Sequence, residues 1–164
     1  MSMKLPPVIA VVGAGHADTK TAELAEAVGQ EIALAGAWLI CGGLGGVMEA
    51  ASRGAQAAGG MTIGILPGTD RTMANPYIAL AIATGLGEGR NLIIIHNADA
   101  VIAVGGEWGT LSEIAFARKV GKPVVGLLTW DLRRPSGTPA DIQVARSPKE
   151  AVELALEAIR RRRR

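Results

Sequence analysis

The residues VGGEWGTLSE, at positions 104–113, combine a glycine-rich turn with a hydroxyl and a carboxylate. Backbone N–H groups in such a turn approach a phosphate closely, and the helix N-terminus that follows adds partial positive charge. Thr110 and Glu113 have the T-x-x-E spacing of a capping box, which would leave Glu113 holding the start of its own helix. The same carboxylate beside a bound sugar is suited to acid or base chemistry on a glycosidic bond. Glu113 therefore has two interpretations, a helix cap and a catalytic group.

Arg90 raises a similar question because it begins an apolar helical pattern, RNLIIIHNA, directly after the glycine-rich residues 84–89. A positive charge at this position opposes the dipole of its own helix. A guanidinium is, however, well suited to binding phosphate. The unfavourable position favours a ligand-binding role for Arg90.

Two further glycine turns follow apolar runs, GAGHAD at 13–18 and CGGLGGVME at 41–49. Each turn alone is as readily a tight corner that needs a positive φ, but three of them indicate an anion site. Trp108 has two interpretations, a shield for a ligand or a packing or subunit contact. The residues predicted to bind the ligand are Gly13, Gly15, Gly42, Gly43, Gly45, Gly46, Gly105, Gly106, Gly109 and Thr110.

The elements that must position these residues alternate between short apolar runs and helical patterns. Apolar runs without polar alternation are typical of strands buried on both faces of a parallel sheet. The βαβ order of the elements predicts an α/β Rossmann-like three-layer fold with a mainly parallel sheet. We expect this fold to form a single domain over residues 1–164. Ligands bind beyond the carboxyl ends of the strands in such folds. The predicted strands are 8–13, 37–42, 61–67, 100–106 and 123–129, with 77–84 as a further possibility, and the predicted helices are 21–36, 46–60, 89–98, 110–121 and one that starts at 147–150.

Several function classes are excluded by the sequence. The turn 13–18 has no third glycine and no acidic residue ends the second strand, so NAD binding is disfavoured, and no P-loop or G-x-S-x-G motif occurs. Cys41 is the single cysteine, which excludes an internal disulfide, gives no metal-binding pattern and favours the cytoplasm. No apolar run is long enough to span a membrane. Five of the 17 basic residues form a tail at 160–164, so the rest of the chain is acidic and nucleic acid is not an expected partner.

The segments GGLGGVMEAASRGA, PGTD, TGLGEGRN and GGEWGTLSEIAFARKVGKPV occur in an order that resembles the superfamily of the Lonely Guy phosphoribohydrolases and the molybdenum cofactor carrier proteins. The similarity covers residues 7–128 and is closest to the carrier branch. The resemblance implies a homo-oligomer, and it implies that the glycine turns bind the phosphate of molybdenum cofactor or of a nucleotide.

Gly105, Gly106, Gly109, Thr110 and Glu113 resemble the Lonely Guy signature P-G-G-x-G-T-x-x-E, with Val104 in place of the proline and two residues instead of one between Gly106 and Gly109. Arg90 matches the arginine of the family's M-x-x-R-K segment, but Asn91 replaces its lysine. The resemblance thus implies two alternatives. One is a carrier that binds a phosphorylated ligand, with molybdenum cofactor as cargo and no cofactor needed for chemistry. The other is a hydrolase that releases the base and ribose 5-phosphate from nucleoside 5′-monophosphates, with Glu113 and Arg90 as catalytic residues.

Overall fold

The computed structural model describes residues 5–164, so residues 1–4 of the predicted domain lie outside the described residues. The apolar runs form a sheet of seven strands that are all parallel, in the order β4-β3-β2-β1-β5-β6-β7. The predicted α/β fold with a parallel sheet is therefore confirmed. The strands are β1 Val8–Val12, β2 Trp38–Cys41, β3 Thr62–Leu66, β4 Leu80–Ala83, β5 Ala100–Val104, β6 Val124–Leu127 and β7 Gln143–Val144.

The strand order reverses beside β1, which pairs with β2 on one side and with β5 on the other. In a doubly wound sheet the loops that leave the carboxyl ends of these strands diverge and leave a crevice between them. The glycine turns that follow β1, β2 and β5 all begin at this edge of the sheet. The topology therefore brings together the segments that the sequence singled out.

Five helices cover the two faces of the sheet. Helices α1, α2 and α5 pack on one face, and α3 and α4 pack on the other. Glycine allows α1 and α2 to approach closely, since a Cβ at Gly29 would lie 1.9 Å from the Ala51 carbonyl oxygen. None of the helices within residues 5–164 combines the length and the apolar character that crossing a membrane requires. The helices are α1 Thr19–Leu34, α2 Val47–Ala57, α3 Arg90–Asn97, α4 Trp108–Lys119 and α5 Pro148–Arg162.

The ends of the elements differ from the sequence prediction in several places. Helix α1 begins at Thr19 because the Asp18 side chain caps it, and the two-residue strand β7 was not predicted because it is exposed and has no apolar pattern. Ser147 caps α5 as expected. The Glu150 carboxylate accepts a hydrogen bond from the Arg146 N–H at 2.6 Å, one residue before the predicted partner in the capping box.

The basic tail, residues 160–164, lies largely within α5, which continues to Arg162. Arg163 forms an ion pair with Asp99, with 3.1 Å between Nη2 and Oδ2. Asp99 in turn accepts a hydrogen bond from the Val8 N–H at 2.9 Å. These contacts attach the end of the chain to the amino ends of β1 and β5, on the opposite side of the sheet from the glycine turns.

Candidate functional site

The turns after β1 and β2 are in direct contact. The Val47 N–H at the start of α2 donates a hydrogen bond to the Ala14 carbonyl at 3.0 Å. Gly46 has a φ of 63°, and a Cβ there would lie 2.3 Å from the Ala14 carbonyl oxygen. Any larger residue would both strain the backbone and push the two turns apart. Gly46 is therefore required by the contact between these turns.

The turn after β5 joins the same cluster through Gly13. A Cβ at Gly13 would lie 2.7 Å from the Val104 carbonyl oxygen and 2.6 Å from Cγ1 of Val47. The carboxyl ends of β1 and β5 and the start of α2 consequently meet around a position that has room only for glycine. Gly15 and Gly109 have open space around their Cα atoms, so their backbones are accessible and no packing contact requires them to be glycine.

The start of α4 differs from the prediction. The helix begins at Trp108 with Glu107 as its N-cap, and the Thr110 hydroxyl accepts a hydrogen bond from the Glu107 N–H at 3.4 Å. Thr110 is thus the third residue of the capping box, and Glu113 lies one turn deeper in the helix. The prediction that Thr110 and Glu113 form a capping box is wrong, because the helix starts two residues before Thr110.

Arg90 is 9% exposed, which is unusual for an arginine. Its Nε donates a hydrogen bond to the Ile65 carbonyl at 2.9 Å, and its Nη1 donates to Oδ1 of Asn91. Its Nη2 lies against Gly42, where a Cβ would be only 2.6 Å from that nitrogen. The guanidinium is therefore fixed beside the carboxyl end of β2. No carboxylate among residues 5–164 lies within 4 Å of it.

Glu113 projects from α4 into the same region. Burial raises the pKa of its carboxyl to about 7, and the positive charge of Arg90 opposes that rise. Burial also lowers the pKa of Arg90, and the charge of Glu113 opposes that change. The two groups thus interact through space without forming a close ion pair. Within the described part of the chain the Glu113 carboxylate has no hydrogen-bond partner, which leaves its oxygens available to a ligand.

Two polar residues near the site were not identified from the sequence. Asn75 is buried, its Nδ2 donates to the Leu44 carbonyl at 2.9 Å, and its N–H donates to the Gly43 carbonyl at 2.9 Å. Ser52 donates to the Met48 carbonyl at 2.7 Å and contacts the Cys41 sulfur. Asn75 fixes the turn after β2, and the dipeptide Asn75-Pro76, a turn signal, was the one available clue.

Cys41 ends β2 below the glycine turn and is completely buried. Burial raises the pKa of its thiol. A buried thiol with a raised pKa is a poor nucleophile, and it behaves as a small apolar side chain at the base of the site, as the sequence indicated.

Comparison with known proteins identifies the family. Residues 6–152 match the model of the SLOG cluster4 family, so the chain belongs to this family. An uncharacterized protein of Archaeoglobus fulgidus is 43% identical over 150 residues, which make up 92% of this chain and 95% of that protein. The resemblance expected from the motifs is confirmed.

Two solved structures place the chain near the carrier branch. The molybdenum cofactor binding protein of Rippkaea orientalis is 41% identical, with a TM-score of 0.88 over 96% of this chain and 99% of that chain. The Moco carrier protein of Chlamydomonas reinhardtii is 33% identical, with a TM-score of 0.83 over 96% of this chain and 99% of that chain. These alignments span almost the whole chain.

Proposed function

We propose that this member of the SLOG cluster4 family binds a phosphorylated ligand in the crevice beside β1, and that it carries molybdenum cofactor as cargo. The observation that carries the proposal is the buried guanidinium of Arg90, which has two neutral hydrogen-bond partners and no ion pair within 4 Å among the described residues. Removing a charge from water is costly unless an opposite charge compensates it. A phosphate group supplies that charge.

Glu113, the acidic group that influences Arg90 most strongly, does not supply this charge fully. Glu113 has a pKa of about 7 because of burial, so a substantial share of Glu113 side chains is protonated at neutral pH. A phosphate that enters the crevice therefore neutralises Arg90 more completely than Glu113 does. Arginine is suited to this role because its planar group donates two parallel hydrogen bonds to phosphate oxygens.

The glycine turns are proposed to bind the other phosphate oxygens. Gly46 and Gly106 have positive φ, and their N–H groups donate to no other group in the described part of the chain, so both can be offered to an anion. Gly43 and Gly105 shape the turns, and their own N–H groups donate to the Cys41 sulfur and the Leu127 carbonyl. The N-termini of α2 and α4 lie at the same edge of the sheet and favour negative charge there. The similar proteins of Rippkaea orientalis and Chlamydomonas reinhardtii support molybdenum cofactor as the cargo, because one is named for binding it and the other for carrying it.

The experiment is cofactor retention under anaerobic conditions. The protein is mixed with molybdenum cofactor released from a molybdoenzyme and separated by gel filtration, and the pterin and molybdenum that elute with it are measured. We expect the wild type to retain cofactor and Arg90→Ala to weaken the affinity by about 1.5–3 kcal/mol, the scale of a charge-assisted hydrogen bond. Arg53→Ala is the matched control, because Arg53 pairs with Glu26 on the α1–α2 surface away from the crevice. Equal retention by wild type and Arg90→Ala would contradict the role of Arg90.

A hydrolase is the second candidate function, and the position of Glu113 favours it. The carboxylate does not cap its own helix, lies in the field of Arg90 and has a pKa of about 7, a value suited to an acid or base at neutral pH. In this alternative Arg90 would hold the 5′-phosphate of a nucleoside monophosphate while Glu113 acts at the glycosidic bond.

Chromatography of bases released from nucleoside 5′-monophosphates tests the alternative. Hydrolysis predicts release by the wild type and by Glu23→Gln, an exposed control on α1, and no release by Glu113→Gln. Absence of release by a wild type that binds these nucleotides would exclude the hydrolase and leave the carrier function.

A further inference from the structure

Trp108 is the first residue of α4, directly after the glycine turn that follows β5, and its side chain is 74% exposed. Burial of a large aromatic ring away from water is favourable, so a ring that stays exposed beside a binding crevice indicates a contact surface. One side of the ring is supported by Trp130, with 5.3 Å between the ring centroids and an interplanar angle of 38°. The support holds Trp108 in place, and most of its surface remains open to solvent.

A cavity of about 320 Å³ lies beside Trp130 at the carboxyl end of β6, and Thr129 and Leu128 also line it. The Nε1 atom of Trp130 is buried and has no hydrogen-bond partner in the described part of the chain. Leu128 has a φ of 51° although it is not glycine. An unpaired buried donor and a strained backbone both carry a cost, and costs of this kind concentrate at binding sites.

The pair is connected to the glycine turn by short contacts. The Gly105 N–H donates to the Leu127 carbonyl at 3.1 Å, and the Thr129 hydroxyl donates to the Gly105 carbonyl. The segment that carries Trp130 is thus fixed to the turn that carries Trp108. Trp108 therefore borders the turn that is proposed to bind the phosphate.

We propose that Trp108, supported by Trp130, is the stacking surface for a fused planar heterocycle on the phosphorylated ligand. This inference rests on the proposed function, and it assigns the second half of the site, since the glycine turns and Arg90 bind phosphate and Trp108 binds the ring. Pterins and purines both have such a ring, and stacking does not distinguish them. Stacking of one base on an aromatic side chain strengthens binding by about fivefold to a hundredfold.

The test compares guanosine 5′-monophosphate with ribose 5-phosphate, which has the same phosphate and no ring. Calorimetry measures both affinities for wild type, Trp108→Ala, Trp108→Phe and Trp38→Phe. Trp38 is the control because it begins β2, at the amino ends of the strands and away from the glycine turns. We expect Trp108→Ala to weaken nucleotide binding about fivefold or more and to leave ribose 5-phosphate binding within twofold. Trp108→Phe should retain most of the affinity, and Trp38→Phe should retain all of it.

The outcomes separate this inference from the function on which it rests. If the wild type binds both ligands equally, or Trp108→Ala changes neither affinity, the stacking surface is wrong and the phosphate site stands. A change in oligomeric mass in Trp108→Ala with unchanged affinities would identify Trp108 as a subunit contact and also overturn the inference. If the wild type binds neither ligand, both the phosphate site and the stacking surface are contradicted.

Discussion

Replacing Glu113 with glutamine should make the protein more stable at alkaline pH. The pKa of this carboxyl is raised from 4.5 to about 7 in the folded protein, mainly by burial. The folded protein therefore keeps a proton that the unfolded chain releases as the pH rises from 4.5 to 7. The free energy of unfolding must fall through this interval and then level off above pH 7. Glutamine has nearly the same shape and does not ionise, so the free energy of unfolding of the variant does not fall in this way.

The size of the effect follows from the shift. One pKa unit corresponds to 1.36 kcal/mol, so the shift of Glu113 to about 7 makes ionised Glu113 cost the folded state about 3 kcal/mol at pH 8. At pH 5 most of this cost is absent, because the folded protein still holds the proton. The stability advantage of Glu113→Gln over wild type should therefore be about 2–3 kcal/mol larger at pH 8 than at pH 5.

Urea unfolding of both proteins at pH 5 and pH 8 measures this difference. Asp18, Glu26 and Asp70 have lowered pKa values and contribute in the opposite direction, but they are common to both proteins and cancel in the comparison. An advantage of equal size at both pH values would refute the assignment of a raised pKa to Glu113. A variant that is less stable than wild type at pH 8 would show that the ionised carboxylate stabilises the fold.

Three further outcomes follow from the glycine turns and the strands beneath them. Gly46→Ala should lower the free energy of unfolding by more than about 2 kcal/mol, and Gly59→Ala by only about 1 kcal/mol. Both glycines have positive φ, but only at Gly46 would the added Cβ meet a carbonyl oxygen. Equal losses in urea unfolding would show that the contact between the turns is absent. Leu128→Gly should stabilise the fold by about 0.5–1 kcal/mol, since it relieves a positive φ at a side chain that is 60% exposed; a lower melting temperature would contradict this. Cys41, with its pKa raised by burial, should react with iodoacetamide only after unfolding, and rapid labelling of native protein followed by mass spectrometry would contradict its burial.

The fold could be predicted because its strands are buried on both faces. The runs that became β1, β2, β3, β5 and β6 are continuous and apolar, and the glycines at the ends of three helices, Gly36, Gly59 and Gly121, all have positive φ as a helix stop requires. Strand β7 could not be predicted, because Gln143 and Val144 are exposed and pair through backbone atoms alone. Backbone pairing between exposed residues produces no hydrophobic pattern by which a strand can be recognised in the sequence.

The structure brings together the glycine turns and Arg90, which the sequence singled out, and their role in ligand binding stays a prediction. They were singled out because three glycine turns follow apolar runs and because an arginine opposes the dipole of the helix that it begins. The interpretation of Glu113 as a helix cap, one of the two that the sequence left open, is wrong because T-x-x-E describes spacing only, whereas the N-cap, Glu107, is set by where α4 begins. The Ile65 carbonyl that accepts a hydrogen bond from Arg90 is 25 residues away in sequence, and only the fold brings the two together.

The central claim is that a phosphorylated ligand binds in the crevice beside β1. The most direct measurement is a crystal structure of the protein with molybdenum cofactor bound. The account predicts phosphate oxygens about 3 Å from the N–H groups of the glycine turns and from a guanidinium nitrogen of Arg90. A phosphate bound elsewhere, for example at the arginines of residues 160–164, with the glycine turns free of ligand, would contradict it.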